Sequence, residues 1–203
     1  MHPINSVKGA IKAGVVLAII VGVGLTLWAG LGTGFHPVRI DRWLHIVSGV
    51  TWIGLLYYFN VVQTPGMAVA AADKGGPGGA GVTKYIAPRA LLWFRWAAVA
   101  TWVTGAVYMI GGYGPTPGGL ANAFMLQSGY RTIGVGAWLG TIMLFNVWVF
   151  IWPNQKKILG IVPATDDEKA AARKTAGMAS RINFILSLPM LMCMGGQSHL
   201  LPF

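Results

Sequence analysis

Long apolar runs, separated by short polar, basic or glycine-rich segments, organise this chain of 203 residues. Within each run the apolar positions are continuous rather than alternating, which predicts helices and not strands. Runs of about 20 residues also match the roughly 30 Å thickness of the hydrocarbon core of a bilayer. We therefore predict five spanning helices, at Ala10 to Leu31, Trp43 to Thr64, Ala90 to Gly111, Thr132 to Trp152, and Ile182 to about Leu201.

The composition supports this prediction, because 55% of the residues are hydrophobic and only 10% are charged. In lipid the backbone polar groups find no external partner, so helices are the expected spanning form. We predict an all-α fold: an integral membrane helical bundle that forms one membrane domain over residues 1–203. The fifth span is the weakest of the five, since it carries Pro189 and ends in the polar sequence GGQSH, although membrane helices tolerate proline. The segment before it, Pro153 to Arg181, is predicted to contain a short surface helix, with Thr165 as its N-cap and acidic residues in its first turn.

The basic residues fix the predicted orientation, because cytoplasmic loops of membrane proteins are enriched in Lys and Arg. With the N-terminus in the cytoplasm, only Arg39, Arg42 and Arg131 lie outside, and the C-terminus is periplasmic. The chain is then expected to be a multi-pass protein of a bacterial inner membrane. Its net charge of +10 is explained by topology and by contact with the lipid bilayer, and no nucleic acid partner is expected. The basic residues placed inside are Lys8, Lys12, Lys74, Lys84, Arg89, Lys156, Lys157, Lys169, Arg173, Lys174 and Arg181.

Three of the four histidines, His36, His45 and His199, fall on the predicted periplasmic side. His45 lies about one helical turn below the outer surface, counted from Asp41, and the fifth span runs in the opposite direction, so His199 reaches a similar level. Two neutral imidazoles that face each other are suited to be axial haem ligands, or part of a copper or zinc site to which His36 adds a third ligand. The alternative is a packed histidine that bonds to a backbone carbonyl.

Four residues near His45 are candidates to complete such a site. Arg39 and Arg42 are suited to clamp haem propionates, or alternatively to anchor the span to lipid phosphates. Gly49 and Trp52 follow His45 on one helical stripe. A glycine there leaves room for a flat ring, or alternatively lets two helices pack closely.

A second polar layer is predicted near the cytoplasmic surface. Arg95 has no acidic residue at its depth, so it is expected to snorkel to the interface, to bond to amides and carbonyls, or to meet an anionic ligand. In the last case the amides would supply hydrogen bonds to a quinone or a small polar substrate. The layer consists of Asn60, Gln63, Arg95, Asn146 and Asn183.

Several long segments resemble the membrane-bound urate hydroxylase family, also called the urate oxidase N-terminal-domain family. They are RWLHIVSGVTWIGLLYYFNVVQTP, PRALLWFRWAAVATWVTG, NVWVFIWPNQKKILG and SRINFILSLPMLMCMGGQSH, and together they extend from Arg42 to His199. The resemblance implies a multi-span inner-membrane redox protein, which some members fuse to a C-terminal cytochrome c domain. His45 in WLH and His199 in QSH are the matched histidines.

The chain departs from this family in three respects. The chain reads LLWFRWA where members of the family have a stretch similar to LHWFKWE, and it lacks an HGGGFY-like stretch. The given sequence also ends at Phe203 without a cytochrome domain. We therefore expect a shortened member that binds haem b, with copper as the alternative. It would pass electrons to a periplasmic cytochrome c or to other membrane subunits. The alternative functions are a urate hydroxylase-type enzyme and a non-catalytic accessory subunit of a membrane protein complex. The chain is also a candidate to form a homo-oligomer.

Overall fold

A computed structural model describes residues 6–30, 37–111 and 119–199. Over these residues the regular structure is entirely helical, with no strand. Five of the helices are long and apolar enough to cross a membrane. The predicted all-helical class is confirmed, whereas the cytoplasmic N-terminus and the periplasmic C-terminus remain predictions.

The chain divides into two compact units, Met1–Pro37 and Val38–Phe203. The first unit contains α1 (Val7–Trp28), in which no residue is buried. Ser6 caps this helix, since its hydroxyl oxygen accepts a hydrogen bond from the backbone nitrogen of Gly9 at 3.0 Å. A helix that is apolar all round and buried nowhere needs lipid or another apolar surface around it.

Over its described residues, the second unit is a bundle of four long helices and one short helix. The last helix, α6 (Asp166–His199), begins at a capping box. The Glu168 backbone nitrogen donates to the Thr165 hydroxyl, and the Thr165 backbone nitrogen donates to the Glu168 carboxylate. The predicted cap at Thr165 is thereby confirmed. The helices are α2 (Pro37–Ala72), α3 (Val82–Gly111), the short α4 (Gly119–Phe124), α5 (Arg131–Ile158) and α6 (Asp166–His199).

Several observed helices are longer than the predicted spans. The prediction placed a short surface helix before a separate fifth span from Ile182, but α6 is continuous over 34 residues. A hydropathy window detects only the apolar part of a helix, and the charged, alanine-rich segment DDEKAAARK continues the same helix beyond it. Pro189 lies inside α6 without ending it. The predicted ends at Leu31 and Leu201 lie outside the described residues.

The bundle core is formed where α2, α3, α5 and α6 meet. Its largest fully buried side chains include Trp52 and Leu56 of α2, Phe94 of α3 and Met143 of α5. Two helices are interrupted by a π-helical turn, at Tyr58–Gln63 in α2 and at Asn146–Ile151 in α5. Such turns occur frequently at functional sites.

Candidate functional site

A cavity of about 750 Å³ lies within the second unit, between the ends of four helices. It is lined by the beginning of α2, the end of α3, the beginning of α5 and the end of α6, and α4 adds Leu120 and Phe124. These are the four helix ends that the predicted topology places on the periplasmic side. The volume is within the range of about 300 to 1,000 Å³ that ligand and cofactor pockets occupy.

His45 and His199, the two histidines predicted to converge, both line this cavity. Nδ1 of His45 lies 2.8 Å from the backbone oxygen of Thr101 on α3. A carbonyl oxygen only accepts, so this hydrogen bond places the proton of a neutral His45 ring on Nδ1. Nε2 then carries a lone pair, and it makes no hydrogen bond to the described residues. Histidines that bind metals are commonly oriented in this way.

Gly105 of α3 lies directly against the His45 ring. A Cβ atom added at Gly105 would lie 2.8 Å from Cε1 and 3.1 Å from Nδ1 of His45. The absence of a side chain therefore makes room for the imidazole. Neither Thr101 nor Gly105 was predicted as a site residue, and a small residue one helical turn after a threonine was the available signal in the sequence.

Gln197 holds the end of α6 that carries His199. Its amide nitrogen donates to the backbone oxygen of Gly129 at 3.1 Å, and its amide oxygen accepts from the backbone nitrogen of Ile133 at 3.0 Å. Ile133 is in the first turn of α5, where backbone N–H groups lack partners within the helix. Gln197 also lines the cavity. The QSH sequence drew attention to His199, and the role of Gln197 was missed.

The other predicted site residues near His45 fall into two groups. Arg42 and Trp52 line the cavity, whereas Arg39 and Gly49 do not. Arg39 is exposed in the first turn of α2. A Cβ at Gly49 would lie 3.7 Å from the Thr101 side chain, so this glycine packs α2 against α3. His36 lies outside the described residues.

The cavity wall combines one guanidinium group with aromatic and thioether side chains, and no described Asp or Glu lines it. Arg42 therefore has no carboxylate in the described wall, which favours an anionic ligand group. Among the described residues no group of three or more His, Cys, Asp or Glu side chains is arranged to hold a metal ion. The apolar part of the wall includes Trp52, Trp102, Phe124, Met109, Met190 and Met194.

The predicted second polar layer is formed in part, at the other end of the bundle. The side-chain nitrogen of Asn146 donates to the side-chain oxygen of Asn183 at 2.8 Å, and Asn183 donates to the backbone oxygen of Met143 at 2.9 Å. Asn60 donates to the Leu56 carbonyl oxygen and to the Ser180 hydroxyl. Asn183 is fully buried. The Asn146–Asn183 pair joins α5 to α6, and the bond from Asn60 to Ser180 joins α2 to α6.

Arg95 and Gln63 do not join that network in the described structure. The Arg95 guanidinium carbon lies 3.8 Å from the centroid of the Trp152 ring, a cation–π contact between α3 and α5. The side-chain oxygen of Gln63 is buried and has no hydrogen-bond partner among the described residues. Arg95 was predicted to snorkel, to bond to amides or to meet an anion, and stacking on an indole was not anticipated.

Comparison with known proteins gives one family match. Residues 117–200 match the family model described as Urate oxidase N-terminal. No curated protein and no solved structure gives a significant match to the chain. The matched segment includes α5 and α6, and with them Gln197 and His199 of the cavity. The match is consistent with the predicted resemblance to the urate oxidase N-terminal-domain family over this segment.

Proposed function

We propose that the protein is an integral membrane redox module that binds a b-type haem in the cavity near the predicted periplasmic face. The observation that carries this proposal is the orientation of His45. Its Nδ1 is bonded to the Thr101 carbonyl oxygen at 2.8 Å, so Nε2 is the nitrogen left to ligate iron. His199, which lines the same cavity, would be the second histidine to hold the haem iron.

The remaining wall residues fit a flat, anionic and largely apolar group. Arg42 would pair with a propionate. Arg39, one helical turn earlier in α2, does not line the cavity and is the further candidate for that role. The aromatic and methionine side chains would exclude water and lower the local dielectric constant. When bound, haem supplies one-electron transfer, and the protein sets its potential through the axial ligands and the burial of the site.

This function needs an electron partner. Because the cavity is built from the helix ends on the predicted periplasmic side, we propose a separate periplasmic cytochrome c or another membrane subunit as that partner. The proposal places the chain in a bacterial inner membrane, with lipid around the exposed apolar side chains of its helices. Co-purification from native membranes, followed by identification of the bound proteins, tests the partner.

The deciding experiment is an absorption spectrum with metal analysis of the chain purified in detergent. We expect a Soret band and about one iron per chain, and we expect His45→Ala to lose both. His199→Ala separates two-histidine ligation, in which the band shifts or is lost, from ligation by His45 alone. His2→Ala, at the one histidine that the predicted topology places on the cytoplasmic side, is the matched control, and it is expected to leave the spectrum unchanged. An unchanged haem content in His45→Ala would refute the proposed ligand.

Two other results would redirect the assignment. Stoichiometric copper without a Soret band would favour the copper alternative, with His45, His199 and the nearby methionine sulfurs as ligands. The absence of both metals, together with stable co-purification of a larger complex, would favour a non-catalytic accessory subunit.

The family match favours a second candidate function, that of a urate hydroxylase-type oxidoreductase. Urate is a flat purine that is anionic at neutral pH, and Arg42 and the aromatic wall offer complementary groups. Membranes that contain the chain should then consume urate, and a cytochrome c acceptor should increase the rate. No urate consumption with or without the acceptor would exclude this candidate.

A further inference from the structure

A second cavity, of about 510 Å³, lies between α2 and α3 and shares no lining residue with the histidine cavity. From α2 it is lined by Val50, Gly54 and Leu55, and from α3 by Ala90, Trp93 and Arg89. We call it the α2–α3 groove. Gly54 and Trp93 are exposed, so the groove is accessible from the surface of the bundle.

The depth of the groove in the bilayer follows from the helix geometry. A Cβ at Gly111 would lie 3.4 Å from the Val38 side chain, so the end of α3 and the start of α2 are at the same level. At 1.5 Å rise per residue, Gly54 lies about 25 Å from this level and Arg89 about 33 Å. In the predicted topology this level is the periplasmic one, so a hydrocarbon core of about 30 Å would contain the apolar part of the groove and would end near Arg89.

The side chains that line the groove change from apolar near Gly54 to basic at Arg89. Thr51 turns its hydroxyl onto its own helix, where it donates to the Val47 carbonyl oxygen at 3.0 Å. A Cβ at Gly54 would meet nothing within 4 Å, so this glycine leaves the groove open. Arg89 is exposed and forms no ion pair with an acidic side chain among the described residues. The groove is thus apolar in the membrane interior and positively charged at the interface.

We propose that the α2–α3 groove binds an anionic phospholipid of the predicted cytoplasmic leaflet. One acyl chain lies along Val50 and Gly54, and the lipid phosphate bonds to the Arg89 guanidinium. In this arrangement the negative phosphate meets the positive guanidinium at the level of Arg89, and the acyl chain contacts apolar side chains at the level of Gly54. A quinone has a neutral head group and would leave the Arg89 charge uncompensated. The proposal does not depend on haem binding.

Native mass spectrometry of the detergent-purified chain, titrated with phosphatidylglycerol or phosphatidylcholine of identical acyl chains, tests this site. We expect the first bound lipid to prefer phosphatidylglycerol, and Arg89→Gln to reduce this preference about tenfold while phosphatidylcholine binding is retained. Arg173→Gln, the same change at an exposed arginine outside the groove, is the matched control and should keep the preference.

A second variant tests the apolar part of the groove. Gly54→Leu fills the open space and should reduce binding of both lipids, and Gly54→Ala should do so to a smaller extent. Thermal unfolding of each variant checks that the bundle is intact. Equal loss of preference in Arg89→Gln and Arg173→Gln would mean diffuse charge attraction and would overturn the proposal. Undiminished lipid binding in a folded Gly54→Leu variant, or displacement of the first lipid by a quinone, would also overturn it.

Discussion

Nδ1 of His45 and the backbone oxygen of Thr101 lie 2.8 Å apart, and this hydrogen bond joins α2 to α3 at the wall of the histidine cavity. The Thr101 side chain does not compete for the ring, because its hydroxyl donates to the Ala97 carbonyl oxygen at 2.7 Å. The orientation of the imidazole is therefore set by the backbone of α3. Displacement of this part of α3 would change the direction in which Nε2 points.

Gly105→Ala is expected to displace the His45 ring, because the new Cβ would lie 2.8 Å from Cε1. Overpacking of this kind costs about 1 to 3 kcal/mol of unfolding free energy. Unfolding in detergent should report the loss of stability, and the haem spectrum should change if His45 is the ligand.

Gly140→Ala is the matched control for this prediction. Gly140 lines the same cavity, but a Cβ there would meet nothing within 4 Å. Because alanine favours a helix over glycine by up to about 1 kcal/mol, this variant should be neutral or slightly stabilised. Equal behaviour of the two variants would contradict the contact between Gly105 and His45.

Gln197→Leu is expected to free the end of α6 from α5, since both side-chain hydrogen bonds to Gly129 and Ile133 are lost. Two such bonds contribute about 1 to 3 kcal/mol. Hydrogen exchange should become faster at the Ile133 amide, which has no other acceptor in the first turn of α5. Gln197→Glu keeps an acceptor for Ile133 but no donor for Gly129, so it should be intermediate. Unchanged exchange at Ile133 in the leucine variant would count against this role.

Asn183→Leu should destabilise the bundle by about 1 to 3 kcal/mol, because Asn146 and the Met143 carbonyl oxygen lose their buried partner. The double variant Asn146→Leu/Asn183→Leu removes both amides and should cost less than the sum of the two single changes. Unfolding in detergent measures all three variants. Asn154→Leu is the control, since Asn154 bonds only to the Phe150 carbonyl oxygen of its own helix. Strict additivity would show that the two amides do not interact.

Thr165→Ala is expected to cost about 1 kcal/mol through loss of the helix cap. The hydroxyl of Thr165 accepts from the Glu168 backbone nitrogen at 3.2 Å, and alanine cannot replace it. Thr51→Ala removes a hydroxyl that bonds within α2 and should have a smaller effect. Circular dichroism during unfolding compares the two variants, and an equal loss would argue against capping at Thr165.

The sequence was sufficient to predict the helical class, the approximate places of five long helices and the cap at Thr165. These features are local, since they depend on the length of apolar runs and on residues within one turn. The placement of His45 and His199 at one cavity also followed, because antiparallel spans bring alternate helix ends together.

The sequence could not predict contacts that depend on how neighbouring helices are rotated. The acceptor for His45 is a backbone atom 56 residues away, and any residue offers the same carbonyl group. The partner of Arg95 is the ring of Trp152, which hydropathy counts only as an apolar residue of the next predicted span. The full length of α6 was missed for a related reason, because a helix does not end where its apolar residues end.

The π-helical turn at Tyr58–Gln63 has a consequence for insertions and deletions in α2. Its wider hydrogen-bonded rings take up an extra residue, so the side chains beyond it are rotated by about 100° from an uninterrupted α-helix. Loss of one residue there would therefore change the angular phase between the two halves of α2. Either the segment from Arg42 to Trp52 would leave the histidine cavity, or the part of α2 after Gln63 would be rotated relative to the rest of the bundle. A length change of a single residue in this turn should thus be more damaging than most substitutions on either side of it.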